Sequence, residues 1–302
     1  MDAVTAFTVT GALLALGKFA AWRWPLRPRV PDAFNQVVLY ACLPAAVLRN
    51  APRLEFSPAL AGLALLPWLL LAVSAAAVLA VSRALRLPED VRGVLLLAVP
   101  LGNTSFLGYP LVESLLGSAA LPYAVAYDQL GSFLMLSTYG LVVLAWHAHG
   151  SAPSTREIVT RILRFPPFLA LMVALLAMPR TLPPALDALL AGLASLMLPL
   201  VALALGMQLK FRLPAAQRTP LALGLAGKMV LLPLLALSAA PLLGLEGSMR
   251  AVAVLQSGMP SMVTAMALAA SAGLAPTLAA ALVGYGVLLA ALSLPLLRWV
   301  LG

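Results

Sequence analysis

Asn103, Thr104 and Ser105 stand side by side in the apolar run Leu-Ala-Val-Pro-Leu-Gly-Asn-Thr-Ser-Phe-Leu-Gly-Tyr-Pro-Leu-Val, Leu97 to Val112. Two prolines and two glycines surround these three polar side chains. Proline lacks the amide donor that a helix interior needs, so an unbroken helix is not expected there. A second interruption reads Gln256-Ser257-Gly258-Met259-Pro260-Ser261, with Thr264 just beyond it. Inside a bilayer a broken helix frees N–H and C=O groups that lipid cannot satisfy, so each break must face protein, water or a ligand. The second half of a broken helix begins with its positive dipole end and unpaired amides, which favour an anionic group such as a carboxylate. Asn103, Thr104, Ser105, Ser257, Ser261 and Thr264 supply side-chain donors, and the backbone around Gly258 and Pro260 supplies the bend. The alternative for either break alone is a kink whose Ser and Thr hydroxyls bond back to the preceding turn. Paired interruptions in corresponding segments point instead to the binding site of a carrier.

Three ionisable residues fall within apolar runs: Glu113 after the first break, Asp128 further on, and Lys228 in the second half of the chain. Each is costly in a membrane unless paired, hydrated or neutral. Asp128 and Lys228 are candidates for a charge pair or a proton-titrating element, with H+ or Na+ as the possible coupling ion. His147 and His149 lack a nearby Cys or acidic residue to complete a metal site, so no metal is expected. No phosphate loop, Walker sequence or Gly-x-Ser-x-Gly spacing occurs. An ATP-driven pump and an enzyme are therefore disfavoured, and no organic cofactor is expected.

The surrounding chain says what positions these residues. Of 302 residues 63% are hydrophobic and only 10% charged, against roughly half and a quarter in soluble domains. Segments such as Leu60 to Val81 and Leu221 to Leu243 are apolar on every side, as a helix facing lipid must be. An all-α membrane protein follows. The net charge of +9 sits in short loops between apolar runs, which makes it a topology signal and not a nucleic-acid footprint. The single cysteine, Cys42, permits no intrachain disulfide. The opening segment lacks a basic start and a cleavage site, and reads as a first spanning helix.

Ten spans are expected, at about 3–22, 33–49, 57–82, 91–117, 121–146, 165–181, 184–209, 219–243, 248–273 and 275–300. With both termini outside, the inner side takes twelve Lys and Arg residues, among them Arg27, Arg156, Arg161, Lys210 and Arg212, against five outside. That asymmetry places both termini on the non-cytoplasmic side of the cell's inner membrane. The longest connection, His147 to Arg164, is read as a polar loop dividing residues 1–150 from 151–302. Five spans per half make the second half an inverted repeat of the first, with spans four and nine broken. Pro44 and Pro199, and the two breaks themselves, recur at similar offsets.

The stretch Gly102-Asn103-Thr104-Ser105-Phe106-Leu107-Gly108-Tyr109-Pro110-Leu111 resembles the auxin efflux carrier family, whose fourth helix carries Asn-Thr followed by Gly-x-Pro. Leu43-Pro44, Leu198-Pro199 leading to Gly206-Met207-Gln208-Leu209, and Met259-Pro260 are similar to the same family. The resemblance implies an elevator-type secondary transporter related to bile acid sodium symporters. Spans one, two, six and seven would form a scaffold that homodimerises, and spans three to five and eight to ten would carry the substrate. It also implies that Asn103 and the backbone around Pro260 hold a carboxylate, auxin-like or a small dicarboxylate such as malate or malonate. Ser105, Tyr109, Ser261 and Thr264 depart from the bacterial pattern, so specificity does not transfer. The third span lacks the acidic residue of plant members, and their long loop is missing. A sodium-coupled symporter on the same fold and a membrane sensor that binds without transport are the competing readings.

Overall fold

A computed structural model describes residues 3–24, 29–147, 154–209 and 214–301. Arg27, His149, Lys210 and Arg212, which entered the charge and metal expectations, lie outside these residues. The described chain is all-helical. In order its helices are α1 (Ala3–Arg23), α2 (Arg29–Arg53), α3 (Pro58–Ala84), α4 (Glu89–Ala98), α5 (Gly108–Leu116), α6 (Ser118–His147), α7 (Thr155–Leu163), α8 (Pro166–Ala177), α9 (Pro184–Gln208), α10 (Ala215–Ala239), α11 (Gly247–Ser257), α12 (Val263–Ser271) and α13 (Pro276–Val300). Six of these (α2, α3, α6, α9, α10 and α13) are long and apolar enough to cross a membrane, and a seventh crossing results if α7 and α8, bent by 66°, form one span.

Proline and glycine set the breaks where the sequence places them. The run 91–117 is split into α4 and α5, and the run 248–273 into α11 and α12. The expected polar loop before Arg164 is corrected in part: Thr155–Leu163 is a helix. Ser154 opens it with a capping box, its hydroxyl accepting from the Glu157 amide while the Glu157 carboxylate accepts from the Ser154 amide. That reciprocal arrangement satisfies two otherwise orphaned donors and lets a short polar helix form.

The helices pack as two groups. In one, α1 lies along the second half of α9, and α8 and α9 both pack on α2. In the other, α3, α4, α5, α6, α10, α11, α12 and α13 pack among themselves, with α12 against α4 and α11 against both α5 and α6. Glycines allow the closest approach in the first group. A Cβ added to Gly17 would press on the backbone of Leu203, and one added to Gly206 on the backbone of Leu14. Small residues that let backbones touch supply much of helix association where lipid removes the hydrophobic drive. Gly206→Val is expected to force α1 and α9 apart at a cost of about 1–3 kcal/mol. A melting curve of the purified protein in detergent should show a drop of several degrees.

Across the far side of this group, Asp187 of α9 accepts from Arg49 Nε at 3.0 Å and from Arg53 at 3.2 Å. Both arginines lie at the end of α2, so this partly exposed cluster ties α2 to the start of α9.

Candidate binding site at the crossing of two broken helices

The two interruptions meet. The Asn103 amide donates to the Pro260 carbonyl at 2.7 Å, and the Met262 amide donates to the Leu101 carbonyl at 2.9 Å, so Gly102 and Ser261 form an antiparallel bridge. Side chains reinforce it. The Ser261 hydroxyl donates to the Ala98 carbonyl at 2.9 Å, and the Gln256 amide donates to the Thr104 carbonyl at 3.0 Å. The breaks therefore satisfy part of their freed backbone with each other.

The remainder stays unsatisfied at one end. Among the described residues no partner is found for the amides of Ser105, Phe106 and Leu107, which precede α5, or for those of Val263 and Thr264, which open α12. First-turn amides lack intrahelical acceptors, and the helix dipole adds positive potential there. Both helix starts border one cavity of about 500 Å³, lined from this group by Asn103, Ser105, Asp128, Gln129, Ser137 and Thr264. The first group closes it with Asp32, Asn35, Gln36 and Gln208, and α7 adds Arg161.

Among the described residues, three buried polar atoms of this lining have no partner: Asn103 Nδ2, Gln129 Oε1 and Ser137 Oγ. Buried polar groups are nearly always hydrogen-bonded, so three orphans in one cavity mark a place shaped for a polar guest. Asp128 forms the floor. Its carboxylate accepts from the Thr104 hydroxyl at 2.5 Å, the Tyr109 hydroxyl at 2.9 Å and the Gln129 amide at 2.9 Å. Asp128 opens a wide π-helical turn, Asp128–Ser132, in the middle of α6. Such turns bulge a side chain out of register and recur at functional positions.

The candidate residues divide by location. Asn103, Ser105 and Thr264 reach the cavity, and Thr104 stands behind it on Asp128. Ser257 does not reach it: its hydroxyl bonds back to the Val254 carbonyl at 2.7 Å, which is the kink arrangement. Gly258 faces Leu297 and Pro233, while Pro260 and Ser261 serve the bridge. Ser257→Ala is accordingly expected to leave substrate affinity unchanged within about twofold, as a titration of the purified variant would measure, because only a local bond within its own helix is lost.

Asp128 and Lys228 form no ion pair among the described residues. Hydroxyls and an amide hold Asp128, while Lys228 lies against Gly102 and does not line the cavity. Glu113 is exposed and borders a separate cavity of about 410 Å³ together with Arg49, Asn50 and Tyr109. Tyr109 thus lines one cavity and hydrogen-bonds the floor of the other.

Residues that sequence reasoning missed are Gln129, Ser137 and Arg161. The signal for Arg161 was present, since Ser154 and Glu157 stand at capping-box spacing. Gln129 and Ser137 gave none, because their position depends on the turn in α6.

A family model described as a membrane transport protein matches residues 12–298. The chain belongs to that family. It is the auxin efflux carrier grouping that Asn103-Thr104 and Gly108-Tyr109-Pro110 resemble. The membrane transport protein is also 27% identical over 269 residues to an uncharacterized transporter of Methanothermobacter thermautotrophicus, covering 88% of this chain and 87% of the relative. Transport, not catalysis, is the activity that the family's description names.

Proposed function

We propose that this membrane transport protein is a secondary carrier of small organic anions, and that it binds their carboxylate at the crossing of α4–α5 with α11–α12. The observation that carries this reading is the convergence of two sets of unpaired helix-start amides with the orphaned Asn103 Nδ2 on one cavity. On the facing wall Arg161 brings a positive charge and Asp32 a negative one. Thr264 and Ser105 orient the guest, and the Asp128 floor takes a proton as the anion enters, because two carboxylates in one dry cavity repel.

The proposed topology has ten spans, with α4–α5 and α11–α12 as broken spans four and nine of two inverted repeats, and both termini on the non-cytoplasmic side. The close packing of α1, α2, α8 and α9 among themselves, with lighter contacts to α5 and α6, supports a scaffold and a moving carrier. Cavities border that boundary on both sides of Tyr109, as an elevator exposing one site alternately requires. Dimerisation through the scaffold belongs to the same proposal.

Reconstitution into liposomes tests it. The protein is expected to move a labelled mono- or dicarboxylate down its gradient and to exchange it across the bilayer. Thermal stabilisation by the same acid without any flux would instead favour a membrane sensor.

A further inference from the structure

The short helix α7 gives Arg161 to the cavity at the crossing, but much of its surface faces elsewhere. Ile158 and Ile162, one turn apart, are half-buried. Val159 and Leu163 form the next row round the helix and are 46% and 53% exposed. Residues three and four apart are neighbours on a helix, so Arg156, Thr160 and Arg164 make a polar row directly beside that exposed apolar one. Among the described residues no side-chain hydrogen bond or ion pair holds Arg156 or Arg164. Glu157, the acid of this helix, is occupied by the cap at Ser154. An exposed apolar strip edged by two free guanidinium groups remains.

The position of the helix says what covers that strip. α8 follows α7 at a bend of 66°, and the pair is apolar enough for one crossing. Spanning helices tilt by about 20° from the bilayer normal, so a helix turned this far from one lies nearer the membrane plane than the normal. Neighbouring residues mark its level. Arg161 and Gln208 line one cavity, and Gln208 and Ala21 another, so α7 and the ends of α9 and α1 share one side of the molecule. α7 also packs on the later half of α6. Exposed tryptophans stand at the ends of these helices, Trp22 and Trp24 at α1 and Trp146 at α6. Tryptophan collects at the membrane–water boundary with its ring at the level of the head groups. Bulk water would leave Val159 and Leu163 unburied, and hydrocarbon would strand both arginines. The boundary satisfies both rows at once.

We propose that α7 lies in the membrane interface and binds anionic phospholipid, with Val159 and Leu163 among the acyl chains and Arg156 and Arg164 on phosphate head groups. A zwitterionic head offers the same phosphate but carries its own cation, so the two arginines select lipid of net negative charge. This surface works without substrate, and its failure would leave the carrier reading untouched.

The test places the full-length chain in nanodiscs of equal parts phosphatidylglycerol and phosphatidylcholine, with the acyl chains of one or the other lipid brominated. Val159→Cys carries a bimane fluorophore, and Cys42, being buried, stays unlabelled. Both brominated lipids are expected to quench the label, and phosphatidylglycerol about threefold more strongly. With Arg156→Gln and Arg164→Gln added, quenching is expected to persist but to become equal for the two lipids, while the melting temperature stays near that of the parent. Lysine at both positions is expected to keep the preference. If the double glutamine variant does not assemble, either glutamine substitution alone is expected to lose part of it. Absence of quenching by either lipid would put this face in water or against another protein and overturn the proposal. Equal quenching in the parent, or a preference untouched by the glutamines, would overturn it too.

Discussion

Asn103→Ala is expected to lower carboxylate uptake into liposomes about 10- to 100-fold, the factor that a lost hydrogen bond to a charged group represents. Its melting temperature should stay close to wild type. The two expectations belong together because the Asn103 side-chain amide nitrogen has no partner among the described residues. Its contribution to the fold runs through the backbone, where the amide reaches Pro260, and alanine keeps that bond. A site residue whose removal costs folding energy would have to be bonded internally, and this one is not. Uptake of a labelled acid measured beside a melting curve separates the two effects. Full uptake by the variant would remove Asn103 from the site.

Asp128 is expected to behave in the opposite way. Asp128→Ala deprives Thr104, Tyr109 and Gln129 of one shared acceptor, and each buried donor left unpaired costs about 1–3 kcal/mol. A loss of several kcal/mol should appear as a large drop in melting temperature, because Thr104 belongs to the break itself and Tyr109 to α5. Asp128→Asn preserves the shape and removes the charge. That variant is expected to fold and to exchange substrate at a rate that no longer changes with pH. Wild-type uptake, by contrast, should rise as pH falls, since the proton is then a co-substrate supplied at higher concentration. Counterflow measured for both proteins across mildly acidic to mildly alkaline pH checks this, and parallel profiles would separate Asp128 from proton coupling.

The breaks were legible in the sequence because proline and glycine act locally. Pro100, Gly102, Gly258 and Pro260 each remove a donor or a rotameric restraint at a fixed position, and the helices end within a few residues of them. Long apolar helices such as α3 and α13 were legible for a similar reason: a run of about 20 apolar residues has few other ways to be satisfied. What the sequence hid was long-range. Nothing local pairs Asp128 with Tyr109, 19 residues away, or brings Gln256 onto the Thr104 carbonyl, 152 residues away. The separation of Ser257 from Asn103 was hidden too. Both are polar residues at a break, but one completes a turn of its own helix and the other faces a cavity. Arg161 was set aside with its loop although Ile158, Val159, Ile162 and Leu163 give this short helix an apolar stripe and the cap at Ser154 marks its start.

The bridge between Gly102 and Ser261 joins residues from the two halves of the chain, and α4 and α5 pack on α12 and α11. Each half consequently completes the interior of the other like clasped hands. Residues 1–150 and 151–302 made as separate polypeptides in one cell should find each other in the membrane and purify as a pair, while either made alone should be degraded.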